Sequence, residues 1–125
     1  MLQYINHNGK QLPIDFNIKT LVCLAKVYNT SITGLSDVFH SFKDEADSIA
    51  FIANVGVVAL SEGSRRAGGS TTYTDDDIYD MLTVDISLAE KLIDMLFATM
   101  QSSQVFPKAA TATMPPKKKS PKRKK

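Results

Sequence analysis

Residues 44–69, DEADSIAFIANVGVVALSEGSRRAGG, carry the longest helical pattern in the chain. Ile49, Ile52, Val55 and Ala59 recur at three- and four-residue steps, the spacing of one helix face. Phe51, Val55, Val58 and Glu62 form a neighbouring row, so the surface is apolar through Leu60 and polar beyond it. Ala46, Ala50, Ala53 and Val57 make a third row, with Gly56, Ala59 and Gly63 beside it. Small side chains let another helix approach closely. A helix this apolar, with such a seam, belongs at the centre of a bundle.

The ends of the stretch agree. Asp44, Glu45 and Asp47 crowd a first turn, where the helix dipole favours negative charge, and Arg65 and Arg66 occupy the last. Gly68-Gly69 supplies a residue able to enter the left-handed region and stop the helix. Gly56 and Gly63 each cost roughly 1 kcal/mol relative to alanine inside a helix. Close packing or a kink must offset that.

Around this helix the pattern predicts shorter elements. Residues 2–5 and 12–16 flank Asn6-His7-Asn8-Gly9-Lys10, and Asn-Gly between two partly apolar runs signals a tight hairpin. Pro13 lacks a ladder donor, which keeps its strand at an edge. Residues 18–28 read as a helix with Asn17 as N-cap, buried through Leu21, Leu24, Ala25 and Tyr28. A shorter helix over 34–42, capped by Thr33, offers Leu35, Val38, Phe39 and Phe42. Thr74-Asp75-Asp76-Asp77 opens another helix with a capping-box arrangement, and Ile78, Met81 and Leu82 are its inner face. The last helix covers 86–101, with Leu88, Leu92, Met95, Leu96 and Thr99 on its main face and Ile93, Phe97 and Met100 to one side. The predicted core centres on Ile52, Val55, Val58, Ala59, Leu24, Phe39, Leu82, Leu92 and Leu96, with order expected through about residue 103.

At 125 residues the chain holds one domain. The expectation is a mainly α fold: a helical domain with an N-terminal hairpin over residues 1–106, and a disordered Lys-rich tail over 107–125. Charge divides the same way. Residues 108–125 carry eight basic side chains and no acid, whereas 1–107 carry seven basic against thirteen acidic, a net of −6. The formal total of +2 hides an acidic body joined to a basic tail.

Several chemistries are weighed and set aside. Asp75, Asp76, Asp77, Asp80 and Asp85 are the densest carboxylate group, but Asp80 stands where a hard-cation loop needs its glycine. Gly63 through Ser70 has phosphate-loop glycine spacing, yet Gly69 replaces the required lysine and the segment follows a helix. His7 and His40 have no sequence-local nucleophile or ligand partner, and the single Cys23, in an apolar run, reads as a buried, inert thiol. No catalytic, metal or cofactor residue is assigned; the chain reads as a non-enzyme with no membrane span and no secretory leader. Met95, Phe97, Met100 and Phe106 do not obviously all face one core; they suit either internal packing or an adaptable binding surface. Lys117, Lys118, Lys119, Lys122, Arg123, Lys124 and Lys125 read either as a solvated tail, free or against an acidic protein surface, or as a non-specific phosphate-backbone contact without aromatics for stacking.

The order of these signals is similar to that of the small tail assembly chaperones of long-tailed bacteriophages. The residues that carry the likeness are Asn8-Gly9-Lys10 with Pro13, then Ala59-Leu60-x-Glu62 running into Gly63-x-Arg65-Arg66. Residues 73–82, YTDDDIYDML, complete it, and the resemblance covers about residues 1–105. It implies a non-enzymatic protein in the cytoplasm of the bacterial host. Such a protein coats the tape-measure protein, keeps its helices soluble, and helps bring tail-tube subunits to it. The family also commonly makes a longer frameshifted product. The basic ending departs from the family pattern. Two other readings stand beside it: a small phage or bacterial nucleic-acid-associated protein using the basic tail, and a structural virion component such as a connector.

Overall fold

The computed structural model describes residues 2–101, and the expectations for Phe106 and for residues 107–125 lie outside it. The chain runs β1 (Leu2–His7), β2 (Lys10–Asp15), α1 (Ile18–Val27), α2 (Leu35–Ser41), α3 (Glu45–Arg66), α4 (Asp75–Val84) and α5 (Ser87–Met100). It is a mainly helical domain with an N-terminal two-stranded antiparallel hairpin. The helix α3 is its axis: β2, α1, α4 and α5 all pack on it.

Local chemistry explains most element ends. Asn8 and Gly9 hold φ of 53° and 81°, the left-handed pair that a two-residue hairpin turn needs. Asn17 caps α1 by accepting from the Thr20 amide, and Asp44 caps α3 by accepting from the Ala46 amide. At the end of α3, Gly68 turns to φ 89° and donates to the Arg65 carbonyl, while Gly69 donates to that of Ser64. That pair of bonds is the Schellman closure. Asn29, at φ 52°, closes α1 in the same way: Asn29 donates to Lys26 and Thr30 to Ala25. Thr74 and Asp77 exchange both capping-box bonds at the start of α4. The short α2 differs from expectation. Gly34, not Thr33, is its N-cap; no side chain caps it, and the Ser31 hydroxyl instead accepts from the Gly34 amide.

One core runs through the domain, with Leu21, Leu24, Leu35, Phe51, Val55, Leu60, Ile78, Leu92 and Leu96 fully buried. Of the predicted core centre, Phe39 and Val58 are only half-buried. Phe39 lies at the α2 margin, its ring 5.4 Å from Phe51 and 5.7 Å from Phe97, and Val58 faces an open cleft.

The small-residue seam of α3 admits two different neighbours. At Gly56 it is a helix, as the sequence suggests: a Cβ there would sit 3.1 Å from the Ile78 side chain of α4. At Gly63 it is the hairpin, where a Cβ would meet the Pro13 carbonyl oxygen at 2.3 Å and the Ile14 Cα at 2.4 Å. The strand backbone lies directly on the helix. By length and composition α3 could cross a membrane, but half of its most apolar window is buried inside the fold.

Candidate functional site

The helices α1 and α3 and the extended segment 69–73 enclose an open cleft of about 560 Å³. Its floor is Cys23, Val57 and Val58; Tyr73 forms one wall, and Lys19 and Arg65 stand at the rim. The spacing on α3 makes this face, because 57, 58, 61, 62 and 65 fall on successive turns of one side. Two serines pin the outer wall alongside the helix. The Thr71 amide donates to Ser64 Oγ at 2.9 Å, and the Tyr73 amide donates to Ser61 Oγ at 3.0 Å. Each satisfies a backbone donor in a segment that has no ladder of its own.

Glu62 closes one end of the cleft. Its side chain is 5% exposed and takes a bidentate pair from Arg65, Nε to Oε1 at 2.8 Å and Nη2 to Oε2 at 2.6 Å. Asn17 Nδ2 donates to Oε2 at 2.6 Å, and Lys19 Nζ lies 3.8 Å from Oε1. One asparagine therefore caps α1 with its oxygen and ties α1 to α3 with its nitrogen. Nearby, the buried Asp15 pairs with Arg66 at 3.6 Å, and the Thr20 hydroxyl donates to the Asp15 carbonyl at 2.7 Å. These contacts join the hairpin exit, α1 and the end of α3.

The hydrogen bonds from Arg65, opposed by burial and aided by Asn17 and by the Arg65 and Lys19 charges, lower the Glu62 carboxyl from 4.5 to about 2. Glu62 is thus a fixed anion at neutral pH, not a proton carrier. The folded state favours the ionised form, so the contribution to stability is complete above pH 4.5 and is lost as pH falls toward about 2. Melting the parent and a Glu62→Gln chain across that window should show a smaller acid-induced loss in the variant. At pH 7 the variant is expected to be less stable by about 1–3 kcal/mol. Equal pH slopes would remove Glu62 from this role.

The residues singled out in the sequence fall elsewhere. Met95, Phe97 and Met100 of α5 are each half-buried against the core, and Phe97 packs beside α2, 5.7 Å from Phe39 and 6.0 Å from a stacked His40. The His40 Nδ1 donates to the Ser36 carbonyl at 2.7 Å. No α5 residue lines the cleft. Cys23 is partly exposed on the cleft floor rather than buried, because it faces away from the Leu21–Leu24 side of α1. Phe106 and the basic group from Lys117 to Lys125 lie outside the described residues. Asp75, Asp76 and Asp77 fill the first turn of α4, and Asp77 completes its cap.

Sequence reasoning missed the cleft. Ser61, Ser64 and Asn17 build it, and each reads in isolation as an ordinary surface or capping residue. No protein-family model, no curated protein and no solved structure matches this chain.

Proposed function

We propose that this chain is a non-enzymatic assembly chaperone of the long-tailed-phage type, acting in the cytoplasm of the bacterial host. Its client is an apolar helical segment of the tape-measure protein, and it helps recruit tail-tube subunits to that client. The observation that carries the reading is the cleft: an apolar floor of Val57, Val58 and Cys23 edged by the Lys19–Glu62–Arg65 ion group. Residues 1–107 are acidic overall, and Lys19 and Arg65 are two of their seven cations. A helix with an apolar stripe complements such a groove. The half-buried Met95, Phe97 and Met100 give a second, adaptable apolar margin. The similarity of its order of residue signals to that family supports the same reading.

Co-expression of the full chain with the tape-measure product of the same genome tests it. The client should move from the insoluble to the soluble fraction and co-purify. Cys23, the single cysteine, reports on the cleft: its maleimide labelling should slow several-fold when client is bound. Val58→Asp should abolish capture without unfolding the domain, since Val58 is only partly buried and lines the cleft. Met95→Asp and Met100→Asp measure the share carried by α5. A client that stays insoluble beside the chain, or is soluble without it, refutes the reading.

The eight basic residues among 108–125 favour one alternative, non-specific binding to nucleic-acid backbones. That reading requires duplex affinity falling steeply between roughly 50 and 200 mM salt and lost on deleting residues 115–125. No binding at the low-salt end excludes it.

A further inference from the structure

The hairpin has one closed edge and one open edge. Its register pairs His7 with Lys10 across the two-residue turn, then Ile5 with Leu12 and Gln3 with Ile14. In a hairpin this tight the pair flanking the turn exchanges both hydrogen bonds, and bonded pairs alternate along the ladder. Leu2, Tyr4 and Asn6 on β1, and Gln11, Pro13 and Asp15 on β2, therefore direct their backbone polar groups away from the opposite strand.

On β2 the middle of that outer row lies against α3, with the Pro13 carbonyl at the Gly63 position. Proline suits this place because it brings no N–H that the helix would leave unpaired. On β1 the outer row is open. Among the described residues, no backbone hydrogen bond reaches Leu2–His7 from outside the hairpin. Gln3, Tyr4 and Asn6 are exposed, Tyr4 by 54%. The devices that protect an edge are a proline, a charge or a bulge, and residues 2–6, LQYIN, contain no proline and no charge. Their register with β2 runs without a bulge.

We infer that β1 is the pairing edge of a two-fold dimer of this chain, two hairpins joining into one four-stranded antiparallel sheet. Two observations favour a second copy over a foreign strand. A two-fold axis at Tyr4 sets Tyr4 opposite Tyr4 and Leu2 opposite Asn6, all uncharged, so self-pairing meets no like-charge contact. Each chain has one open edge because α3 closes the other, so pairing ends at two copies rather than growing into a fibre.

Sedimentation of the full chain over roughly 1–100 μM, the range suited to a small interface, should show a reversible monomer–dimer equilibrium. Tyr4→Pro removes an outward N–H only, as Pro13 opposite already does, and should shift the chain to monomer while the helices still melt cooperatively. A Tyr4→Cys chain in a Cys23→Ser background provides the second measurement. Across such an axis the Cα atoms sit about 5.5 Å apart, within disulfide reach, so mild oxidation should give a covalent dimer. Gln11→Cys, on the β2 side, should not cross-link. A parent monomeric throughout with no Tyr4→Cys cross-link overturns the inference. So does a folded Tyr4→Pro chain that still dimerises. If Tyr4→Pro fails to fold, the cross-link alone decides.

Discussion

A Gly63→Val chain is expected to lose about 3 kcal/mol or more and to melt roughly 10–20 °C lower than its parent. The cause is a backbone contact on both sides. The position of a Cβ at residue 63 is 2.3 Å from the Pro13 carbonyl oxygen and 2.4 Å from the Ile14 Cα, and neither can rotate aside. Relief requires lifting β2 off α3, which exposes Ile14 and disturbs the Asp15 and Asn17 contacts that hold the hairpin exit. Gly56→Ala is the matched control. There the neighbour is the Ile78 side chain at 3.1–3.2 Å, which can shift by a few tenths of an ångström. The roughly 1 kcal/mol gained in helix propensity then keeps that variant close to the parent. Thermal melts of the two variants check the pair. A Gly63→Val chain melting within about 2 °C of the parent would mean the hairpin does not depend on that approach.

Val55→Asp is expected to abolish cooperative folding. Val55 is fully buried on the inner face of α3, among residues that offer a carboxylate no partner. Burying an unpaired charge costs several kcal/mol, against a total stability for such a domain of about 5–15 kcal/mol. Val57→Asp, two residues on and facing the cleft, should cost far less, because water already reaches that side chain. Circular dichroism melts and the soluble fraction on expression read both. A soluble Val55→Asp chain with an unchanged melting curve would contradict the central place of α3. A Val57→Asp chain as damaged as Val55→Asp would contradict the cleft.

The elements themselves were legible because their signals are local. The three- and four-residue recurrence through Ile52, Val55 and Ala59 reads directly as the buried face of α3. Asn8-Gly9 fixes the hairpin through backbone sterics, and Asn17, Asp44 and the Thr74–Asp77 box start helices within three residues of themselves. Gly68 ends α3 by the same kind of short-range constraint. None of these depends on what lies across the fold.

What periodicity could not assign was which neighbour fills each position. Gly56 and Gly63 look alike in the sequence, seven residues apart on one seam, yet one receives an isoleucine side chain and the other a strand backbone. Phe39, Val58 and Cys23 sit on apolar stripes, but an amphipathic stripe is wider than the surface its partners cover. The margins of α1, α2 and α3 therefore stay half open. Glu62 pairs with Arg65 within its own helix, but the bond that ties it to α1 comes from Asn17, 45 residues away in sequence. By itself the sequence determined the helices, the hairpin and the charge division between body and tail, since propensity, capping and composition act over a few residues. Only the tertiary structure decided that β2 rests on Gly63, that β1 keeps an open edge, and that Ser61 and Ser64 hold a wall over an apolar floor. Those outcomes depend on contacts between segments distant in the chain, which no local pattern encodes.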